Sequence, residues 1–332
     1  MTSVTQAEHY RSRSRFQHFT IQSAPLLLAL IMLAGMAALY IGLFYRQLSR
    51  LPGNFEWTSV VNTSMPLVFA AVGQSIVVVT RGLDLSVGGM IDLTNGLAAT
   101  HMHAGTGSML AWSLLVLLIG GAGGAINGIL VAYGRLQPIL VTLATLSIFQ
   151  GLAIKVLPEP GGAVPLEYTK FLANPNGPWG LAFVVFIGAA WLVFRRTRFG
   201  VDVFAIGNDE EAARAHGVRV RATKVGAYVL AGMFSAAAGL FLAATTTSGD
   251  ATSGDVFVLT SIAAVVLGGI SFFGGRGSAI GTVAGAFVLT LLINVLFFAD
   301  INPLYQSFFQ GLFLVVAVLL GTLIRRLVGM RG

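Results

Sequence analysis

The sequence predicts an all-α polytopic membrane protein of about ten transmembrane helices, with both termini in the cytoplasm. Three observations carry that expectation. Of 332 residues, 55% are apolar and only 10% are charged, whereas a soluble domain carries about 25% charged residues to cover its surface. Apolar runs of about 20 residues, the length that crosses a bilayer, recur along the chain. The basic residues between those runs fall on alternate loops. Together with 41 glycines, this composition excludes disorder, a collagen-like repeat and an ordinary soluble enzyme. With no cysteine in the chain, disulfides, thiolate catalysis and cysteine-ligated metal centres are excluded as well.

In chain order the predicted spans are 24–45, 58–80, 86–104, 108–133, 137–156, 179–194, 226–246, 256–273, 280–298 and 304–324. Seven of them are plain apolar runs. The segment 86–104 is rich in glycine and polar residues, 179–194 is short, and 256–273 carries Gly268 and Gly269 near its end. The first run exceeds the 7–15 residues of a signal-peptide core, so it reads as an uncleaved anchor. The organisation expected is a basic tail over 1–23, a membrane domain over 24–326 and a short tail over 327–332.

Orientation follows from the loop cations. With the N-terminus inside, the inner side receives sixteen: Arg11, Arg13, Arg15, Arg81, Arg135, Arg195, Arg196, Arg198, Arg214, Arg219, Arg221, Lys224, Arg276, Arg325, Arg326 and Arg331. The outer side receives four: Arg46, Arg50, Lys155 and Lys170. One span too many or too few would invert everything downstream, so the asymmetry supports ten. The same scatter explains the net charge of +7 without a nucleic-acid partner, because no basic patch is gathered anywhere. The partner implied is the lipid bilayer.

Two connections are long. Residues 157–178, outside, carry five prolines and read as a structured cap, a docking surface or a solvated linker. Residues 195–225, inside, contain the signals of a short helix. Asn208 or Asp209 can cap it, Glu210 and Glu211 suit the positive end of its dipole, and Glu210 and Arg214 stand four apart. Ala212 and Ala213 supply its small apolar positions, and Gly217 can take the left-handed residue that ends it. A capped two-turn helix with no core of its own is built to press against something else.

Within the spans, Gly120, Gly124 and Gly128 recur every fourth residue, as do Gly281 and Gly285, and such stripes let helix backbones approach closely. Asp92 is the deepest acid, and an ionisable group there is expensive unless it faces a cavity or a partner. It is therefore the first candidate for lining a solute pathway, with Asn95, Gln74 and Asn127 as further polar candidates. Asp84, with Ser86 beside it, reads as a helix cap. His101 and His103, two apart, do not face each other on a helix, and no metal site is expected. No G-x-x-x-x-G-K-[ST] occurs, so the chain is expected to bind no nucleotide or other cofactor itself and to be no enzyme.

The stretch from Thr80 to Gly89 (TRGLDLSVGG) resembles the signature of the permease subunits of bacterial monosaccharide importers of the ATP-binding-cassette class, the ribose-type branch. Residues 128–145 (GILVAYGRLQPILVTLAT), 197–218 (TRFGVDVFAIGNDEEAARAHGV) and 259–282 (LTSIAAVVLGGISFFGGRGSAIGT) resemble further motifs of that family, in its order. The resemblance covers about residues 25–325. It implies the ribose-type permease fold in the bacterial inner membrane, a second permease subunit, identical or paralogous, and two cytoplasmic ATPase subunits that use the ATP. It also implies a periplasmic sugar-binding protein and a coupling segment at 195–225, with Asn208–Gly217 seated on the ATPase. The sequence departs from the family at Arg81, where a small residue is usual, and at Val258, where many members have glutamate. The competing reading is an ion-coupled secondary transporter, which needs acids clustered near the midplane and finds only Asp92.

Overall fold

In the computed structural model of the chain, residues 26–319 are described, apart from 175, 178, 307, 314, 317 and 318. The expected tails at 1–23 and 327–332 lie outside the described residues, and the span expected at 304–324 runs beyond them. The helices are α1 (Leu26–Leu48), α2 (Asn54–Val79), α3 (Val87–His101), α4 (Thr106–Ala132), α5 (Pro138–Val156) and α6 (Leu166–Leu172). They continue as α7 (Trp179–Phe194), α8 (Arg198–Asn208), α9 (Glu210–Ala215), α10 (Val220–Thr246), α11 (Asp255–Leu267) and α12 (Ala279–Phe298). Among the described residues there is no strand, only one isolated bridge between Gly161 and Gly249.

Six of these helices, α1, α2, α4, α5, α10 and α12, are long and apolar enough to cross a membrane. A seventh is reached if α7 and α8 are counted together across their 75° bend. Among the described residues the expected count of ten is not confirmed. The segments expected to span at 86–104 and 256–273 form helices of 15 and 13 residues. At 1.5 Å per residue these reach only about 20 Å, against a hydrocarbon layer of about 30 Å. Polar turns adjoin both, at 80–86 and 247–254.

Burial sorts the helices into a core and a rim. α10 packs against α4, α2 and α3, while α12 and α11 pack against each other and against α2. α2 is buried along most of its length and tolerates Pro66 in its middle, as helices in lipid do when neighbours satisfy the freed carbonyl. α1, α4, α5 and α7 instead present leucine, isoleucine, valine and phenylalanine outward. In water such a surface would drive aggregation; against lipid tails it costs nothing.

The glycine stripes are the seams of that packing. A Cβ on Gly120 would run into Gly232, one on Gly124 into the Tyr228 carbonyl and one on Gly128 into Val225, so α4 meets α10 backbone to backbone. Gly281 and Gly285 meet Gly268 and Ala264 in the same way, joining α12 to α11.

The connections collect at two ends. At one, the Gly275 N–H donates to the Val79 carbonyl, and the Arg221 guanidinium lies over the Tyr133 ring. At the other, Gly161 and Gly249 exchange two backbone hydrogen bonds, Val164 donates to the Thr247 carbonyl, and Gln47 donates to the Phe298 carbonyl. Residues 157–174 therefore form a structured cap, with α6 inside it. Arg50, on that same end, pairs with Glu56 and lies over the Phe44 ring, which accounts for one of the four cations set against the orientation rule.

Candidate functional site

The most elaborated solvent-facing feature is the arm built by α8 and α9. Thr197 starts α8: its hydroxyl donates to the Phe194 carbonyl and accepts from the Gly200 N–H, which turns the chain sharply out of α7. Asn208 ends α8, its amide donating to the Phe204 carbonyl. Asp209, the next residue, begins α9. Its carboxylate accepts from the N–H groups of Glu211 at 2.9 Å and Ala212 at 3.0 Å. Of the two caps left open by the sequence, Asp209 is the one used, and Asn208 closes the preceding helix instead.

α9 is six residues long. Gly217, at φ 84°, ends it with hydrogen bonds from the Gly217 N–H to the Arg214 carbonyl and from the Val218 N–H to the Ala213 carbonyl. Ala213 is buried against Ile206 and Val220, the arm's own small core. Glu210 pairs with Arg214 at 3.0 Å, as its spacing predicted, and also with Lys224 at 2.6 Å, which ties α9 to the first turn of α10. The outer face of the arm leaves Glu211, Ala212, Arg214 and His216 exposed beside an open groove floored by Ala205 and Ala213.

Behind the arm, the turn from α2 to α3 is a buried polar network. The Asp84 carboxylate accepts from the Ser86 N–H at 2.9 Å and from its hydroxyl at 2.6 Å. The Ser86 hydroxyl accepts from the Asn127 amide at 2.8 Å, and the Asn127 carbonyl oxygen accepts from the Thr145 hydroxyl at 2.8 Å. With its amide turned to satisfy both neighbours, Gln74 donates to the Asp84 carbonyl and accepts from the Asp84 N–H. Tyr228 donates to the Leu83 carbonyl. One turn is thus bonded to α2, α4, α5 and α10. Asp84 holds the turn at Ser86, the residue before α3, rather than the helix's first N–H groups.

Asp92 and Asn95 stand elsewhere. Three residues apart on α3, they share a face and grip the loop that precedes α11. Asp92 Oδ1 accepts from the Gly254 N–H, and Asn95 Oδ1 accepts from the Asp250 N–H at 2.7 Å. Asp92 is fully buried, and its other oxygen, Oδ2, has no hydrogen-bond partner among the described residues. The polar candidates therefore separate into two groups. Gln74, Asn127, Asp84 and Ser86 meet at the α2–α3 turn, whereas Asp92 and Asn95 meet the loop at the opposite end. Reasoning from sequence missed Thr145, Lys224 and Arg81, whose partners lie 14 or more residues away.

A protein-family comparison bears on this arrangement directly. The family described as "Branched-chain amino acid transport system / permease component" matches residues 57–318, nearly the whole membrane core. The chain belongs to that family of permeases. Among curated relatives, the ribose import permease protein of Escherichia coli K12 is 34% identical to this permease over 260 residues, 75% of this chain and 80% of the relative. The ribose import permease protein of Bacillus subtilis strain 168 is 36% identical over 75% of this chain and 79% of its own length. The galactose/methyl galactoside import permease protein of E. coli K12 is 30% identical over 80% and 86%. No solved structure matches.

Proposed function

We propose that this permease is the membrane subunit of an ATP-binding-cassette importer for a monosaccharide of the ribose or hexose class. It works as one of a pair, in the bacterial inner membrane, with the α8–α9 arm in the cytoplasm. The observation that carries the reading is that arm: a capped helix tied to α10 through Glu210 and Lys224, projecting exposed residues over a small core of Ile206, Ala213 and Val220 with Ala205 and Val218. A chain with no phosphate-binding loop and such an arm is built to take its energy from a partner. Residues Asp209, Glu210, Glu211, Ala212, Ala213 and Gly217, with Asn208 at their base, form the seat of the cytoplasmic ATPase. ATP binding and hydrolysis there bias the membrane core between two states of access.

The cargo is argued from the relatives. The family description names amino acids, but the relatives at 30–36% identity over most of the chain are sugar permeases, and the individual matches weigh more than the group's heading. A periplasmic binding protein delivers the sugar to the end of the molecule carrying α6 and the 247–254 loop. Asp92 and Asn95 act on the pathway from that end, by holding the loop in place.

Affinity purification of the tagged permease from its native membrane in mild detergent, followed by mass spectrometry, tests the reading. An ATPase subunit in roughly equal amount supports it, and the presence or absence of a second permease separates a heterodimer from a homodimer. A co-purifying binding protein then yields the cargo by its own ligand binding. Recovery of the permease alone, under conditions that keep other transport complexes whole, overturns the arm's role and returns the ion-coupled transporter with Asp92 at its centre.

A further inference from the structure

Arg81 occupies an unusual place. It is the residue after the C-cap of α2, in the left-handed region at φ 65°, where a side chain is strained and glycine is the common choice. Its N–H donates to the Val78 carbonyl and the next one, of Gly82, to the Val77 carbonyl, which closes the end of α2. The side chain does something else. Its Nε donates to the Gly207 carbonyl at 2.9 Å and an Nη to the Asn208 carbonyl at 2.7 Å. Those are the last carbonyls of α8, the negative end of its dipole, so a cation is favoured there. One residue therefore terminates two helices 126 positions apart, α2 with its backbone and α8 with its guanidinium.

The surroundings are shaped to this bridge. Gly207 has no room for a Cβ because it lies against the Val79 carbonyl and Gly275, and Gly274 lies against the Arg81 Cγ. Asp209, the cap of α9, follows Asn208 directly. Three residues beyond Arg81, Asp84 begins the network that reaches α4 and α5 through Asn127 and Thr145. Two further ties join the arm to the core: the Glu210–Lys224 pair at 2.6 Å on the α10 side, and the Asn208 amide, which donates to the Gly275 carbonyl at 3.4 Å.

We infer that Arg81 is a positioning residue: it locks the α8–α9 arm to the α2–α3 turn, so that arm and membrane core move as one body. The transport consequence rests on the coupling role proposed above; the mechanical lock does not.

Because the chain contains no cysteine, introduced pairs report without background. Spin labels on Ala215→Cys in the arm and Leu136→Cys in the α4–α5 turn, measured by pulsed electron resonance in nanodiscs, give the arm-to-core distance. With Arg81 the distribution is narrow. Arg81→Gly relieves the backbone strain, so the fold is retained, and it widens the distribution about twofold as the arm opens locally. Arg81→Lys, which keeps the charge but loses the fork, lies between. A distribution as narrow in Arg81→Gly as in the natural chain overturns the inference. In the purified complex, sugar moved per ATP hydrolysed falls in Arg81→Gly and partly recovers in Arg81→Lys. A widened distribution with unchanged sugar per ATP supports the lock and overturns the coupling role of the arm.

Discussion

Gly217 and Arg81 hold the same backbone position at the ends of two helices, and the contrast between them shows what one residue decides. Both have positive φ and both close the same pair of terminal hydrogen bonds. At Gly217 nothing lies within reach of an added Cβ. Gly217→Ala should therefore cost only the left-handed strain, about 1–2 kcal/mol, seen as a lower thermal midpoint with no loss of insertion. Asp92 calls for a different argument. Asp92→Ala leaves the buried Gly254 N–H without an acceptor, a penalty of about 1–3 kcal/mol, whereas Asp92→Asn keeps an acceptor oxygen in place. Sugar uptake in cells expressing equal amounts of each protein should be impaired by Asp92→Ala and largely retained by Asp92→Asn; equal uptake in both would show the 254 contact to be dispensable. At this scale the sequence was legible wherever chemistry is local. The Asp209 cap, the Glu210–Arg214 pair and the Gly217 stop all lie within a few residues of their partners. Arg81 reads only as a departure from a motif, because nothing near it announces that its partners are Gly207 and Asn208.

Among the elements, the α4–α10 seam and the arm make separate claims. Replacing a helical glycine with alanine gains about 1 kcal/mol of helix propensity, and on α7 and α5, where Gly188 and Gly151 have open space, that gain should stand. On α4 the Gly124 Cβ would enter the Tyr228 backbone, and overpacking of about 1–3 kcal/mol should outweigh it. Monodispersity in detergent should thus fall for Gly124→Ala and hold for Gly188→Ala. In the arm, Ala213→Glu places a charge in the core formed with Ile206 and Val220, and Gly217→Pro removes both the left-handed turn and an N–H that donates to Arg214. Either variant should insert normally yet abolish transport-linked ATP hydrolysis; normal coupling would remove α9 from the mechanism. The glycine stripes were readable as seams because their period matches the helix. Their partner helices were not, since several apolar faces on this chain could have received them equally well.

For the molecule as a whole, the alternation of cations between loops is a prediction about sidedness. A membrane-impermeant maleimide applied to intact cells from which the outer membrane has been stripped should label Thr252→Cys, and label Arg196→Cys only after permeabilisation. The reverse pattern would invert the orientation. Composition and hydropathy, local properties summed along the chain, were enough to predict a helical membrane protein; the family resemblance came from four motifs, and the short helix of the arm from its capping residues. What they could not supply was the length of each helix. The segments at 86–104 and 256–273 are apolar enough to read as spans, but α3 and α11 stop at 15 and 13 residues. Their flanks are held by bonds to distant parts of the chain: Asp84 through Ser86 to Asn127, and Asp92 to Gly254. Tertiary structure alone also divided the polar candidates between the two ends and gave Arg81 its second helix. The physical reason is the same in each case. A buried polar group must find a partner, and which partner it finds depends on which helices have been packed beside it.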